Sequence, residues 1–498
     1  MTAVQRSPAA SPASPAASEA GPPGTRAPGA PARRAGRPPL RRRLVPRTNV
    51  ARIRAFTAAI VVALAAALAA TWLAIDDARD GVRVIGHDAG PQVVATGDLY
   101  FALTDMDAQL ANALLVGRTA DLGITRAQAV GRYDADRRQA GTALLQAARL
   151  ADETSEEKTA RDLLEALGRY ERLAGQALQL DDQSAHAAGP PNAKVVELYR
   201  QATDLMKLDL LPKAYNLTLD NGTLVRHTYE DERSAVLTGV IWVIVTGLVL
   251  VALLVGLQLS LAVRFRRLLN PALALATVGV LALTVASTLM LTAQAGDLRR
   301  AKEDGFDSIL ALSRARAIGN SANADQTRYL LDPGRSDTYE QVFLTKSQSV
   351  MYLRAGNLAA YNQALQGVPS GQGGPKYLGF LGTEAARAQA GPGQRQALGR
   401  VLEDWKRFQQ DDRQIRELTA AGRRGQAIGV RTGTAARDFA AYDASLVKLI
   451  QIHRTAFDRA VDDGDGGSRG WELGLPVVGV AVLALLWVGV RPRLAEYR

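Results

Sequence analysis

Four stretches of the chain carry no charged side chain: Ala55 to Ile75, Val236 to Val263, Pro271 to Ala293 and Leu473 to Val490. An uncharged apolar run of about 18 residues or more is long enough to cross the hydrocarbon core as a helix. The pattern therefore predicts four membrane helices, at 55–75, 236–263, 271–293 and 472–490. The fourth run is the shortest and contains Pro476. Between the second and third lies the basic turn Arg264-Phe265-Arg266-Arg267-Leu268-Leu269-Asn270. By the positive-inside rule this turn, 264–270, faces the cytoplasm. Arg41 to Arg54 before the first run, and Arg491, Arg493 and Arg498 after the last, place both termini there too. A cleavable signal peptide ending near Ala67-Leu68-Ala69 is the rival reading, but its charged region would be unusually long.

The two segments left outside the membrane, 76–235 and 294–471, show helical periodicity. In the first, Leu163, Leu167, Tyr170, Ala174 and Ala177 fall on one face, behind a capping-box spacing of Thr154 and Glu157. In the second, Leu398, Leu402, Trp405 and Phe408 form the matching stripe. Glu165 with Arg169, and Glu403 with Arg407, are spaced for i, i+4 ion pairs. No alternating run bounded by turn signals predicts a sheet. Breaks at Gly117–Thr125, Asp152–Thr154 and Ser184–Asn192 divide the first segment into four helices. Breaks at Asp332–Gly334, Gly367–Gly393 and Ala421–Gly425 do the same for the second. The expected fold is all-α: four transmembrane helices with two extracytoplasmic antiparallel four-helix bundles, an architectural duplication. The first and third breaks of each bundle then lie at its far tip. The long Gly/Pro loop Gly367–Gly393 falls near the bilayer and reads as disordered.

Composition changes the picture in two places. Residues 1–54 are rich in Pro, Ala and Ser and carry 11 Arg against the single acid Glu19, so they read as a disordered basic cytoplasmic tail. The overall +11 is concentrated there: 76–235 holds 18 bases and 26 acids, and 294–471 holds 25 bases and 20 acids. That distribution excludes a nucleic-acid partner and favours anionic membrane lipid. With no cysteine, disulfides, iron–sulfur clusters and cysteine zinc sites are excluded.

The chemistry is as sparse. Neither a phosphate loop, nor Gly-x-Gly-x-x-Gly, nor His-Glu-x-x-His, nor a Gly-x-Ser-x-Gly elbow occurs, so no catalytic, cofactor-binding or metal residue is assigned. His87, His186, His227 and His453 show no ligand spacing and read as surface or helix residues. Asp181-Asp182 reads as solvated, because adjacent helical residues point apart. Asp462 to Gly467 lacks the spacing of a calcium loop and reads as a flexible hinge. No charge lies inside the apolar runs, which disfavours a pump or carrier. Ala59, Ala63 and Ala67, and Gly239, Gly247 and Gly256, permit close helix packing.

The stretch Asp325-Gln326-Thr327-Arg328-Tyr329-Leu330-Leu331-Asp332-Pro333-Gly334 resembles the end of the first bundle helix in actinobacterial proteins with chemoreceptor-like sensor modules. The whole layout over roughly residues 50–498, with its basic tail, is similar to the GlnX family of four-span membrane proteins. That resemblance implies an extracytoplasmic solute-binding lipoprotein, specific for glutamate or glutamine, and a cytosolic Ser/Thr kinase as partners. It also implies a docking tip at Arg335, Arg423 and Arg424, for which solvated loop charge is the plainer reading. The expected function is a non-enzymatic sensor or transducer in the plasma membrane. A structural envelope scaffold and a direct small-molecule sensor are the alternatives, and a homo-oligomer is left open.

Overall fold

The computed structural model describes residues 49–119, 122–149, 154–265, 270–368, 377–387 and 392–495. The basic tail up to residue 48, Arg266 and Arg267 of the turn, the heart of the Gly/Pro loop and the last three residues lie outside them.

Helix α1 (Asn49–Arg83) runs through a π-helical segment, Val84–Ala89, into α2 (Gly90–Val116), and a short loop leads to α3 (Arg126–Arg149). Helix α4 (Thr154–Ser184) returns to the tip, and α5 (Ala193–Leu205) descends through a π-helical segment, Met206–Leu210, into α6 (Leu211–Phe265). The second half starts in the same way but is not a four-helix bundle: among the described residues, seven α-helices lie between its two apolar runs. Helix α7 (Pro271–Arg299) passes through a third π-helical segment, Arg300–Phe306, into α8 (Asp307–Leu331). A 3₁₀ turn at Pro333–Arg335 leads to α9 (Ser336–Val350), then α10 (Leu358–Gln366), α11 (Gly379–Arg387) and α12 (Pro392–Ala420). Helix α13 (Arg424–Thr432) precedes α14 (Thr434–Gly467) and α15 (Trp471–Ala495). Among the described residues the only β contact is an isolated bridge between Tyr352 and Leu378.

Four helical stretches, Ala51–Asp88, Val225–Val263, Pro271–Leu331 and Arg424–Pro492, are long and apolar enough to cross a membrane. Each outruns its apolar window: at 1.5 Å per residue the 61-residue Pro271–Leu331 is about 90 Å long, three times a hydrocarbon core of about 30 Å. Ile60, Leu64, Leu250, Leu254, Leu273, Val280, Val482 and Leu486 from all four helices pack into one buried cluster. The opposite faces leave Val62, Ile241, Leu289 and Val480 exposed, which is what a lipid-facing surface requires. Gly239 and Gly247 sit at close approaches: a Cβ there would lie 2.5 Å from Ala74 Cβ and 2.3 Å from Thr284 Oγ1. Ala59, by contrast, is exposed.

Outside the membrane the two lobes do not stand apart. Helices α2 and α8 form the central pair, and Gly319 to Arg328 of α8 are buried all the way round. Leu103, Leu110, Tyr170 and Tyr199 of the first lobe share a core with Leu330, Leu331, Ile415 and Ile428 of the second. The second lobe adds its own aromatic core, where the Trp405 ring packs at a tilt, 5.0 Å from Tyr442 and 5.4 Å from Phe408. Both predicted stripes, from Leu163 to Ala177 and from Leu398 to Phe408, are buried.

Several expectations are corrected. Gly367–Gly393 is not an unbroken loop: α11 lies within it and buries Leu381, Gly382 and Glu384. Asp462 to Gly467 is the last turn and a half of α14, not a hinge. Its glycines give room for close packing, since a Cβ on Gly464 would meet Val82 at 2.9 Å and one on Gly467 would meet Gln294 at 2.7 Å. Gln294 Nε2 also donates to Gly464 O at 2.7 Å. Arg169 turns to Asp209 (2.9 Å) rather than Glu165, and Arg407 bonds Asp404 rather than Glu403.

Candidate functional site

The strongest concentration of chemistry in the fold is a buried polar core where the lobes meet. Asp107 projects from the enclosed middle of α2 and is 1% exposed. It accepts from Tyr170 Oη of α4 at 3.2 Å and from Thr203 Oγ1 of α5 at 2.6 Å. Arg328 of α8 completes its shell with a charge-assisted contact. The same guanidinium reaches Asp325 one turn earlier, and its Nε donates to Tyr199 Oη at 3.0 Å. Asp325 in turn receives Lys346 of α9 and lies 3.5 Å from Lys207 Nζ, which the π-helical segment after α5 presents. Lys346 Nζ also donates to Ser321 Oγ at 2.7 Å.

Two buried carboxylates thus face three cations, of which Arg328 is sealed from solvent while the Lys207 and Lys346 side chains stay 24% and 19% exposed. Burial, and then the charge of Arg328, pull Lys207 below the ordinary lysine range, while Asp325 and Asp107 oppose the shift. Burial likewise lowers Lys346 to about 8, against the pull of Asp325 and with the push of Arg328 and Lys207. Such a cluster adds little net stability compared with an apolar core, yet it becomes costly as soon as one partner moves. It can therefore hold the lobes in one register and penalise any other.

The polar seam extends toward the tip. Thr327 Oγ1 donates to Asn112 Oδ1 at 2.8 Å, and Arg431 Nε donates to Thr327 Oγ1 at 2.9 Å. Asp332 accepts a bidentate pair from Arg200, at 2.6 and 2.8 Å, and Arg335 Nη1 lies 3.1 Å from both oxygens of Asp204. Opposite net charges on the lobes predict a simple attraction of acidic to basic. The pairing is instead reciprocal: the first lobe gives Asp107 and Asp204 to arginines of the second, and gives Lys207 and Arg200 to aspartates of the second. A reciprocal pattern fixes register where a one-sided pattern permits sliding.

Each lobe also contains a buried carboxyl beside a second acid. Burial, then the charge and hydrogen bond of Asp105, raise Asp136 to about 8. Burial, then Asp438, raise Asp411 to about 7. Among the described residues no group of three or more His, Asp or Glu side chains is arranged to hold a metal ion.

The residues predicted as a docking tip have separate fates. Arg335 is engaged across the lobes with Asp204, Arg423 is exposed just before α13, and Arg424 is partly buried at its start. Asp181 is buried rather than solvated, bound by Arg126 and, at 2.8 Å, by His186 Nε2; Arg126 also reaches exposed Asp182 at 2.8 Å. His453 is buried as well, 2.7 Å from Glu384 of α11. Sequence reasoning missed Asp107, Lys207 and Lys346 altogether. The available signal was Gly319 to Arg328, a run of small and polar residues unbroken by any large apolar side chain.

Comparison with known proteins bears on the first lobe. Residues 81–230 match the family model of the actinobacterial sensor domain. No curated protein and no solved structure gives a significant match to the chain. The matched sensor domain begins near the end of α1 and ends within α6, so it takes in α2 to α5 together with the Asp107, Thr203 and Lys207 side of the polar core. The first lobe is therefore similar to a sensor domain, and the second lobe packs over its Asp107 and Lys207 side.

Proposed function

We propose that the protein is a non-enzymatic membrane sensor, with both termini in the cytoplasm and both lobes outside the plasma membrane. A signal received by the lobes changes how the membrane helices pack, and a cytoplasmic protein reads the change. Helical continuity carries this reading: 49–116, 193–265 and 271–331 are unbroken from one side of the apolar region to the lobes. Such rods transmit shifts of about 1–2 Å or small rotations from end to end. A solute-binding lipoprotein outside and a Ser/Thr kinase inside are the partners this role calls for, in keeping with the GlnX-like layout.

The test uses the absence of cysteine. Cysteines placed at the exposed membrane positions Leu248 and Leu289 accept spin labels without background. Their distance distribution in lipid nanodiscs should shift when the lobes are loosened by Asp332→Ala. An unchanged distribution in a variant that still folds would refute transmission and favour a static scaffold.

A further inference from the structure

The rods 49–116 and 271–331 meet α14 at the base of the lobes. A cleft of 300 Å³ opens there between the lobes, at the π-helical segments Val84–Ala89 and Arg300–Phe306. π-Helical turns inside α-helices are rare and concentrate at functional sites. Gly90 and Gly305 let Phe457 of α14 close in: a Cβ on Gly90 would lie 3.2 Å from its ring, and one on Gly305 would lie 2.7 Å from its Cβ and 3.2 Å from its ring. Buried Phe306 and Ala95 complete an apolar floor.

The rim is charged and unspent. Asp98 of α2 and Arg454 and Asp458 of α14 line the cleft, and none makes a hydrogen bond or an ion pair within 4 Å among the described residues. Burial raises the Asp98 carboxyl against the charges of Arg316 and Arg454, and Arg316 is itself committed to Asp443 at 2.6 Å. Asp98 and Arg454 both line the opening, within electrostatic reach of one another but without an ion pair. The volume stands at the small end of ligand sites, which range over about 300–1,000 Å³.

We propose that this cleft binds a small zwitterion with a short apolar body. Its ammonium lies toward Asp98 and Asp458, its carboxylate on Arg454, and its apolar part against Phe457. This rests on the sensor reading and gives it a direct ligand, set where rods from three membrane helices converge. A ligand that prefers one arrangement of those rods shifts their equilibrium by its differential affinity.

The test is titration calorimetry on the full chain in nanodiscs with the free amino acids and glycine betaine, including norleucine. Pentylamine and hexanoate, which keep one charge of norleucine each, are the control arms. At least one zwitterion should bind, its single-charge counterparts at least tenfold more weakly, and Asp98→Asn and Arg454→Gln should each weaken it tenfold or more. Equal helicity and unfolding temperature of the unliganded variants separate a lost contact from a lost fold. No binding by any zwitterion, or binding indifferent to both substitutions, overturns the site; an amine that binds as tightly as its zwitterion removes the role of Arg454. Binding without a change in the Leu248–Leu289 distance leaves the site standing and refutes the relay.

Discussion

Arg328 and Asp107 come from opposite lobes and meet where neither reaches solvent, at 2% and 1% exposure. The contact matters less for its own energy than for what its removal strands. Arg328→Ala leaves Asp107 buried with only hydroxyl donors, and it withdraws one of three cations from Asp325. Breaking a buried pair in this way costs about 3–5 kcal/mol. Denaturant unfolding in detergent should show that loss, and Asp107→Asn combined with Arg328→Met should recover part of it, because Asp107→Asn removes the carboxylate left unmatched.

The seam has a cheap end and an expensive end. Arg335 and Asp204 are 38% and 43% exposed, so Arg335→Ala should change stability by less than about 1 kcal/mol. Asp332 is 1% exposed and takes two hydrogen bonds from Arg200, so Asp332→Ala should cost about 1.5–3 kcal/mol. Equal effects would mean that the lobes part more easily at Asp332 than its burial implies.

How much of this was legible in the sequence depends on the kind of force involved. Apolar periodicity is local, so the runs 236–263 and 271–293 and the stripes through Tyr170 and Trp405 announced both helix and face. The ten residues Gly319 to Arg328 look like a solvated helix by composition, yet all are buried, because a second lobe covers them. Their small side chains were the trace of that close approach. Asp107, Lys207 and Lys346 lie in separate elements, and only the tertiary fold places them around Arg328 and Asp325. The motif from Asp325 to Gly334 was singled out by resemblance alone; its buried aspartates and arginine form the interlobe contact.

Within the membrane, Gly239 and Gly279 make a matched pair. A Cβ on Gly239 would meet Ala74 at 2.5 Å, whereas one on Gly279 would meet nothing within 4 Å. Gly239→Val should therefore push α6 from α1 and cost about 1–3 kcal/mol. Gly279→Ala should be neutral or stabilising, since alanine is the better helix former by about 1 kcal/mol. Thermal unfolding of the two variants in detergent distinguishes packing from a general intolerance of change in the apolar region.

Asp136 makes the lobes sensitive to pH in a direction that can be worked out. Burial and then Asp105 raise its carboxyl from an ordinary 3.8 to about 8, so the folded chain holds this proton more tightly than the unfolded one. Its stabilising contribution is complete below about pH 4 and is lost as pH climbs toward 8, because the unfolded carboxyl ionises first. Asp136→Asn cannot titrate, so the variant should gain on the parent steadily between pH 5 and pH 8. Each tenfold change in proton affinity is about 1.4 kcal/mol, and the gain over that interval should exceed one such step. Urea unfolding of both chains at pH 5, 6.5 and 8 measures it. A difference that stays constant with pH would show that Asp136 is ionised throughout and that Asp105 does not share its proton.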